Sequence, residues 1–121
     1  MTQAGKEAKG EQIPFMVGYA DVIGTGLQGY LSLPFSRIVE VFGEPTHEGS
    51  GDGKVAFEWA ITFADGTVAT IYDYKASSLY DDENPTPEQM RSSDFSDWHI
   101  GGKTKRADEL VRAALTSKVR S

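Results

Sequence analysis

Residues 55–63 constrain the fold more than any other stretch of the chain. Val55, Phe57, Trp59, Ile61 and Phe63 alternate with Ala56, Glu58, Ala60 and Thr62, the two-residue period of a strand with one buried face. Asp65-Gly66 follows, and both residue types tolerate the positive φ of a tight reversal. The next stretch, TVATIYDY, is rich in the β-branched and aromatic residues that fit a pleated surface. A chain with this hairpin has to build a sheet and cover one side of it. Two registers are open. A two-residue loop at Asp65-Gly66 sets Trp59 opposite Tyr72 and Glu58 opposite Asp73, whereas a three-residue bulged loop sets Trp59 opposite Ile71. A slip of one residue changes which side chains share a face.

Two amphipathic helices are predicted to provide the cover. Phe35, Ile38, Val39 and Phe42 form one apolar stripe. Ser32 is placed to cap that helix, with Pro34 in its first turn. Gly43 and Pro45 end it. Near the C-terminus, Thr104 precedes a second stripe of Ala107, Leu110, Val111, Ala114 and Leu115. Upstream, the apolar stretch FMVGYADVIGTGLQGYLSL is punctuated by glycines and reads as a loop leading into a strand at Leu27 to Leu31. Trp98-His99-Ile100 reads as a brief strand ended by Gly101-Gly102. Residues 76–96 are acidic, hold Pro85 and Pro87, and read as a long loop or lid. Residues 1–13 lack periodicity and read as a flexible arm. The expected architecture is therefore α+β: a small antiparallel sheet of three to four strands with two helices, a two-layer sandwich over residues 14–121 as a single domain.

Composition narrows the function classes. The chain has 121 residues, no cysteine and two histidines, His47 and His99. That excludes a disulfide scaffold and thiolate chemistry, and it argues against a histidine-rich metal centre. No apolar run approaches the roughly 20 residues needed to cross a bilayer, and the polar N-terminus lacks the apolar core of a secretory signal. A cytoplasmic protein is expected. Charge is unevenly placed: residues 1–102 carry a net of −10 and residues 103–121 a net of +4. An acidic body repels nucleic-acid phosphate and favours basic protein surfaces.

Several groupings could carry chemistry. Gly101-Gly102-Lys103-Thr104, with Lys105 and Arg106, is a glycine-rich turn before a helix, where exposed N–H groups and cations suit a phosphate or carboxylate. It is not a Walker motif, because Asp97 stands where the earlier glycine is required. Glu58 and Asp73 would oppose each other in the two-residue register, and paired carboxylates can share a cation or a proton. Histidine is the side-chain type suited to proton transfer near neutral pH, so His99 is a candidate base, and it could act with Glu58 and Asp73. His47 lies between Glu44 and Glu48 in a loop, without the spacing of a known metal site. Phe35, Phe42, Phe57, Trp59 and Phe63 belong to the core by periodicity. Tyr72, Tyr74, Tyr80, Phe95 and Trp98 exceed what a core of this size needs. They anchor either a loop folded over the sheet or a partner contact.

The blocks GTGLQGY (24–30), FGEPT (42–46), EWAITFADGTVATIYDYK (58–75) and WHIGG (98–102) together resemble small accessory proteins encoded by bacteriophages. The resemblance spans roughly residues 24–115 and transfers no activity to particular residues. It implies a context in which such proteins bind and disable host components, defence complexes included. The expectation is a non-enzymatic factor without cofactor or metal that binds and inhibits a host protein or nucleoprotein complex having a basic surface. Tyr80, Asp81, Asp82, Glu83 and Trp98 are its predicted contacts. Direct binding of nucleic acid is disfavoured and no membrane contact is expected. The alternative is a module binding a nucleotide or phosphate through Gly101, Gly102, Lys103, Thr104 and Arg106.

Overall fold

A computed structural model describes residues 13–18, 22–49, 53–92 and 97–119. Along these the chain forms β1 (Phe15–Val17), β2 (Gly26–Leu31), α1 (Phe35–Phe42), β3 (His47–Glu48), β4 (Phe57–Phe63), β5 (Val68–Tyr72), α2 (Pro87–Ser92), β6 (Trp98–Gly102) and α3 (Arg106–Val119). The sheet runs β1-β4-β5-β6-β2, with β3 also on β4, and every pairing is antiparallel. The class is α+β as expected. Among the described residues, however, there are six strands and three helices, more than the predicted three to four and two. β1 and β3 were hidden because strands of three and two residues are too short to show a period.

The hairpin resolves to the three-residue loop. Glu58 pairs Tyr72 and Trp59 pairs Ile71. Gly66 takes φ +92° and donates to the Phe63 carbonyl at 2.8 Å, while Phe63 donates to the Thr67 carbonyl at 2.8 Å, a turn closed by a glycine bulge. Phe57, Trp59, Ile61 and Phe63 then share one face with Ala69, Ile71, Trp98 and Ile100, and all are buried. The three helices lie on that face. Phe35 of α1 packs its ring against Phe57, Trp59 and Trp98. Arg91 of α2 lies over Phe35 and Phe57.

The two tryptophans fix α1 at both ends. The Trp98 indole donates to the Leu33 carbonyl just before the helix, and the Trp59 indole donates to the Gly43 carbonyl just after it, each at 2.8 Å. Burial of these rings supplies the driving force, and the satisfied N–H removes the penalty of a buried donor. Two details of the helix differ from expectation. Pro34, not Ser32, occupies the N-cap position, and no side chain caps the helix. Gly43 ends it as predicted, with φ +83° and a bond to the Val39 carbonyl.

Gly101 and Gly102 also differ from their predicted role. They extend β6 instead of ending it. A Cβ on Gly102 would run into Ala107 of α3, and one on Gly101 would meet the Thr70 hydroxyl at 2.5 Å. The glycines let helix and strand approach closely.

Candidate functional site

Residues 76–92 are a folded element, not an open loop, within their described span. Ser77 is buried, and its hydroxyl accepts from Leu79 N–H. The Asn84 amide donates to the Lys75 and Ser77 carbonyls, and Ser78 N–H donates to the Pro85 carbonyl. α2 follows, opened by Thr86 and Gln89: the Thr86 hydroxyl accepts from Gln89 N–H at 3.1 Å, and the Gln89 side chain accepts from Thr86 N–H at 2.9 Å. This reciprocal capping box, with Pro87 at the first helical position, is a sequence signature. The predicted period-free segment overlooked it. Met90 anchors the helix in the core. Residues 93–96, Phe95 among them, and residues 1–12 of the arm predicted over 1–13 lie outside the described residues.

This framework presents Tyr80, Asp81, Asp82 and Glu83 as an exposed turn. Asp81 accepts from Glu83 N–H at 3.0 Å, and Asn84 N–H donates to the Asp81 carbonyl at 2.9 Å, a side-chain-closed turn. Several other acids are paired with cations. Glu40 pairs with Arg37, Glu44 and Glu48 with Arg91, Asp65 with Arg106, and Asp108 with Arg112 and Lys105. Among the described residues, Asp81, Asp82 and Glu83 have no such cation. Lys75 enters the turn in the left-handed region, with φ +58°, and its ammonium lies 5.1 Å from the Tyr74 ring centre and 5.4 Å from that of Tyr80. One cation thereby bridges two exposed rings.

Trp98 does not join this group. It is fully buried between Trp59 and Phe35, so its predicted role as a contact anchor is corrected to core packing. Exposed rings are instead found on the sheet face that none of the described helices covers. Register aligns Tyr30, His99, Tyr72, Glu58 and His47 in one row across β2, β6, β5, β4 and β3. The His99 ring centre lies 5.0, 5.4 and 5.8 Å from those of Tyr30, Tyr72 and Tyr74. Tyr30 is 60% exposed, Tyr74 42% and Tyr80 49%. The rings thus form a path from β2 to the acidic turn. No local period singles out Tyr30, because its place beside His99 depends on the pairing of β2 with β6.

Glu58 and Asp73 are not opposed. Glu58 stands half-buried in the row on the open face, and burial raises its carboxyl above the ordinary range, with His47 partly offsetting this. Asp73 is buried, and its carboxylate accepts from Ala56 N–H at 3.0 and 3.1 Å and from Phe57 N–H at 2.8 Å. Burial raises it too, against those bonds and the nearby His99. Asp73 serves as a clasp on the start of β4. His99 and Glu58 thus share a row with Tyr72 between them, while the Asp73 carboxylate is committed to backbone N–H groups.

The glycine-rich turn offers an anion little. Gly101 and Gly102 are buried in β6, the Thr104 hydroxyl accepts from Arg106 N–H, and Arg106 is bound to Asp65. Lys103 is exposed and makes further interactions of its own. Asp108 and Glu109 occupy the first turn of α3, where they compete with any incoming anion for the positive helix end. Among the described residues, no three of His, Asp and Glu gather as a metal set, and no helix is long and apolar enough to cross a membrane. Comparison with family models and with curated proteins finds no match to the chain.

Proposed function

We propose that this chain is a non-enzymatic accessory factor of bacteriophage type that binds a basic surface on a host protein or nucleoprotein complex and inhibits it. The observation that carries this reading is the turn at residues 80–83: among the described residues its exposed carboxylates have no cationic partner, and the segment is pinned by the hydrogen bonds of Ser77 and Asn84 and by α2. A rigid, uncompensated acidic turn loses little entropy on docking and speeds encounter with a positive surface. Tyr80, Tyr74 and Tyr30 add rings of the kind that concentrate binding energy. An anion-binding role for Gly101–Arg106 is disfavoured by the engaged arginine and the acids of the first helical turn.

The test is affinity capture from host lysate after nuclease treatment, comparing the wild-type chain with the triple variant Asp81→Lys, Asp82→Lys, Glu83→Lys. The expected result is one stoichiometric protein held by wild type at low salt, released as salt rises, and lost from the variant. Equal retention by the two chains would remove the turn from the interface. Retention that vanishes with nuclease would remove the protein partner.

A further inference from the structure

The sheet face that none of the described helices covers carries a binding chemistry beyond that of the acidic turn. Tyr72 lies at its centre, with His99 on one neighbouring strand and Glu58 on the other. Burial raises the Tyr72 hydroxyl above its ordinary range, and negative charge on the neighbouring Glu58, Tyr74 or Tyr30 adds to that. Electron-rich rings and a half-buried carboxylate therefore gather on one surface. Among the described residues, the titratable base set against Glu58 is His47, the opposite residue on β3.

The same molecule shows what such a surface accepts. The Arg91 guanidinium lies 4.7 Å from the Phe35 ring centre and 5.1 Å from that of Phe57, while its N–H groups pair with Glu44 and Glu48 at 3.0 and 2.8 Å. A planar guanidinium can stack on a ring and bond a carboxylate at once, whereas an ammonium acts as a point charge. The open face offers rings and a carboxylate with no arginine or lysine paired to that carboxylate among the described residues. We infer that Tyr72, Tyr74, His99 and Glu58 form a receiving site for an arginine side chain of the basic partner. The choice of partner rests on the proposed function. The chemistry of the site rests on the sheet register and on the charge complementarity between an acidic body and a guanidinium.

The site is tested with small probes on the full chain. N-acetyl-arginine amide and N-acetyl-lysine amide are titrated while the ring signals of Tyr72, Tyr74 and His99 are followed by NMR. Arginine amide is expected to shift these signals and to bind at least about threefold more tightly than lysine amide, as an added stacking contact implies. Glu58→Gln, which keeps the shape of the side chain, is expected to weaken arginine binding about fivefold to tenfold. Tyr74→Ala, at an exposed position, provides a second variant and is expected to weaken it about threefold. The lysine-reversed turn variant is expected to retain the probe response. Absent ring shifts, equal affinity for both amides, or unchanged binding by Glu58→Gln would each overturn the site. Such a result leaves capture through the acidic turn standing. Conversely, ring shifts with no captured protein would retain the site and overturn the partner.

Discussion

Single residues here take their roles from environment more than from type. Glu58 and Asp73 are both carboxylates on the central hairpin, yet one faces the open sheet surface and the other clasps buried backbone. Asp73 has three hydrogen bonds to offset its burial, two of them to Ala56 N–H. Among the described residues, Glu58 is offset only by its neighbour His47. A carboxyl whose folded pKa is raised favours the neutral form, so its contribution is fully present below the unfolded value of 4.5 and is lost as pH rises through the folded one. Replacing Glu58 by Gln removes that loss. The variant is therefore expected to gain stability relative to wild type between pH 4 and pH 7 (on the order of those bounds), with little difference below. Urea denaturation at the two ends of the window measures it. A constant offset across the window would show that Glu58 keeps an ordinary pKa in the folded chain.

Among the elements, α2 is the most sensitive to a local signal. It is short, and a helix of six residues does not sustain itself in water. Its capping box and the buried Met90 hold it against α1, where Arg91 reaches across to Glu44 and Glu48. Thr86→Ala removes the acceptor for Gln89 N–H and is expected to cost about 1 kcal/mol of global stability. Amide exchange at Gln89 and Met90 should accelerate by more than exchange in β4. Uniform acceleration would show that α2 opens only with the whole fold. Legibility follows the same division. α1, α3 and the hairpin were readable because each repeats its period for two turns or several residues. β1, β3 and α2 are too short to repeat anything, and only the Thr86–Gln89 pair announced one of them. The hairpin register hung on one bulged residue, Gly66. The row on the open face was not readable at all: Tyr30 and Glu58 are separated by 28 positions in the chain, and only the order of the strands unites them.

At the scale of the whole molecule, the described sheet ends on β1 and β3 at one side and on β2 at the other. On β4 the outer edge is shared by β1 and β3. Where they part, Ala60 N–H donates to the Thr46 hydroxyl and its carbonyl accepts from Gly18 N–H. The opposite edge is β2, a six-residue strand with no neighbour beyond it in the described sheet. There α3 and the residue just before it supply side chains where a strand would supply amides. Lys105 donates to the Gln28 carbonyl at 2.9 Å, and Arg112 donates to the Tyr30 carbonyl. Asp108 lies between them, bound to both cations and pressed so closely on Gly29 that a Cβ there would overlap its carboxylate. Unpaired strand edges invite another strand, and charged groups over the edge discourage it. The triple variant Lys105→Ala, Asp108→Asn, Arg112→Ala uncovers both carbonyls and leaves no buried carboxylate stripped of its cations. It is expected to stay folded while its apparent mass by light scattering rises with concentration, since two uncovered β2 edges can pair. Wild type under the same conditions should hold a constant mass. If both chains remain at constant mass, the edge is protected by the twist of β2 and its Gln28 bulge instead of by α3. The placement of Arg112 would then be explained by its bond to Asp108, holding helix to strand from within one molecule.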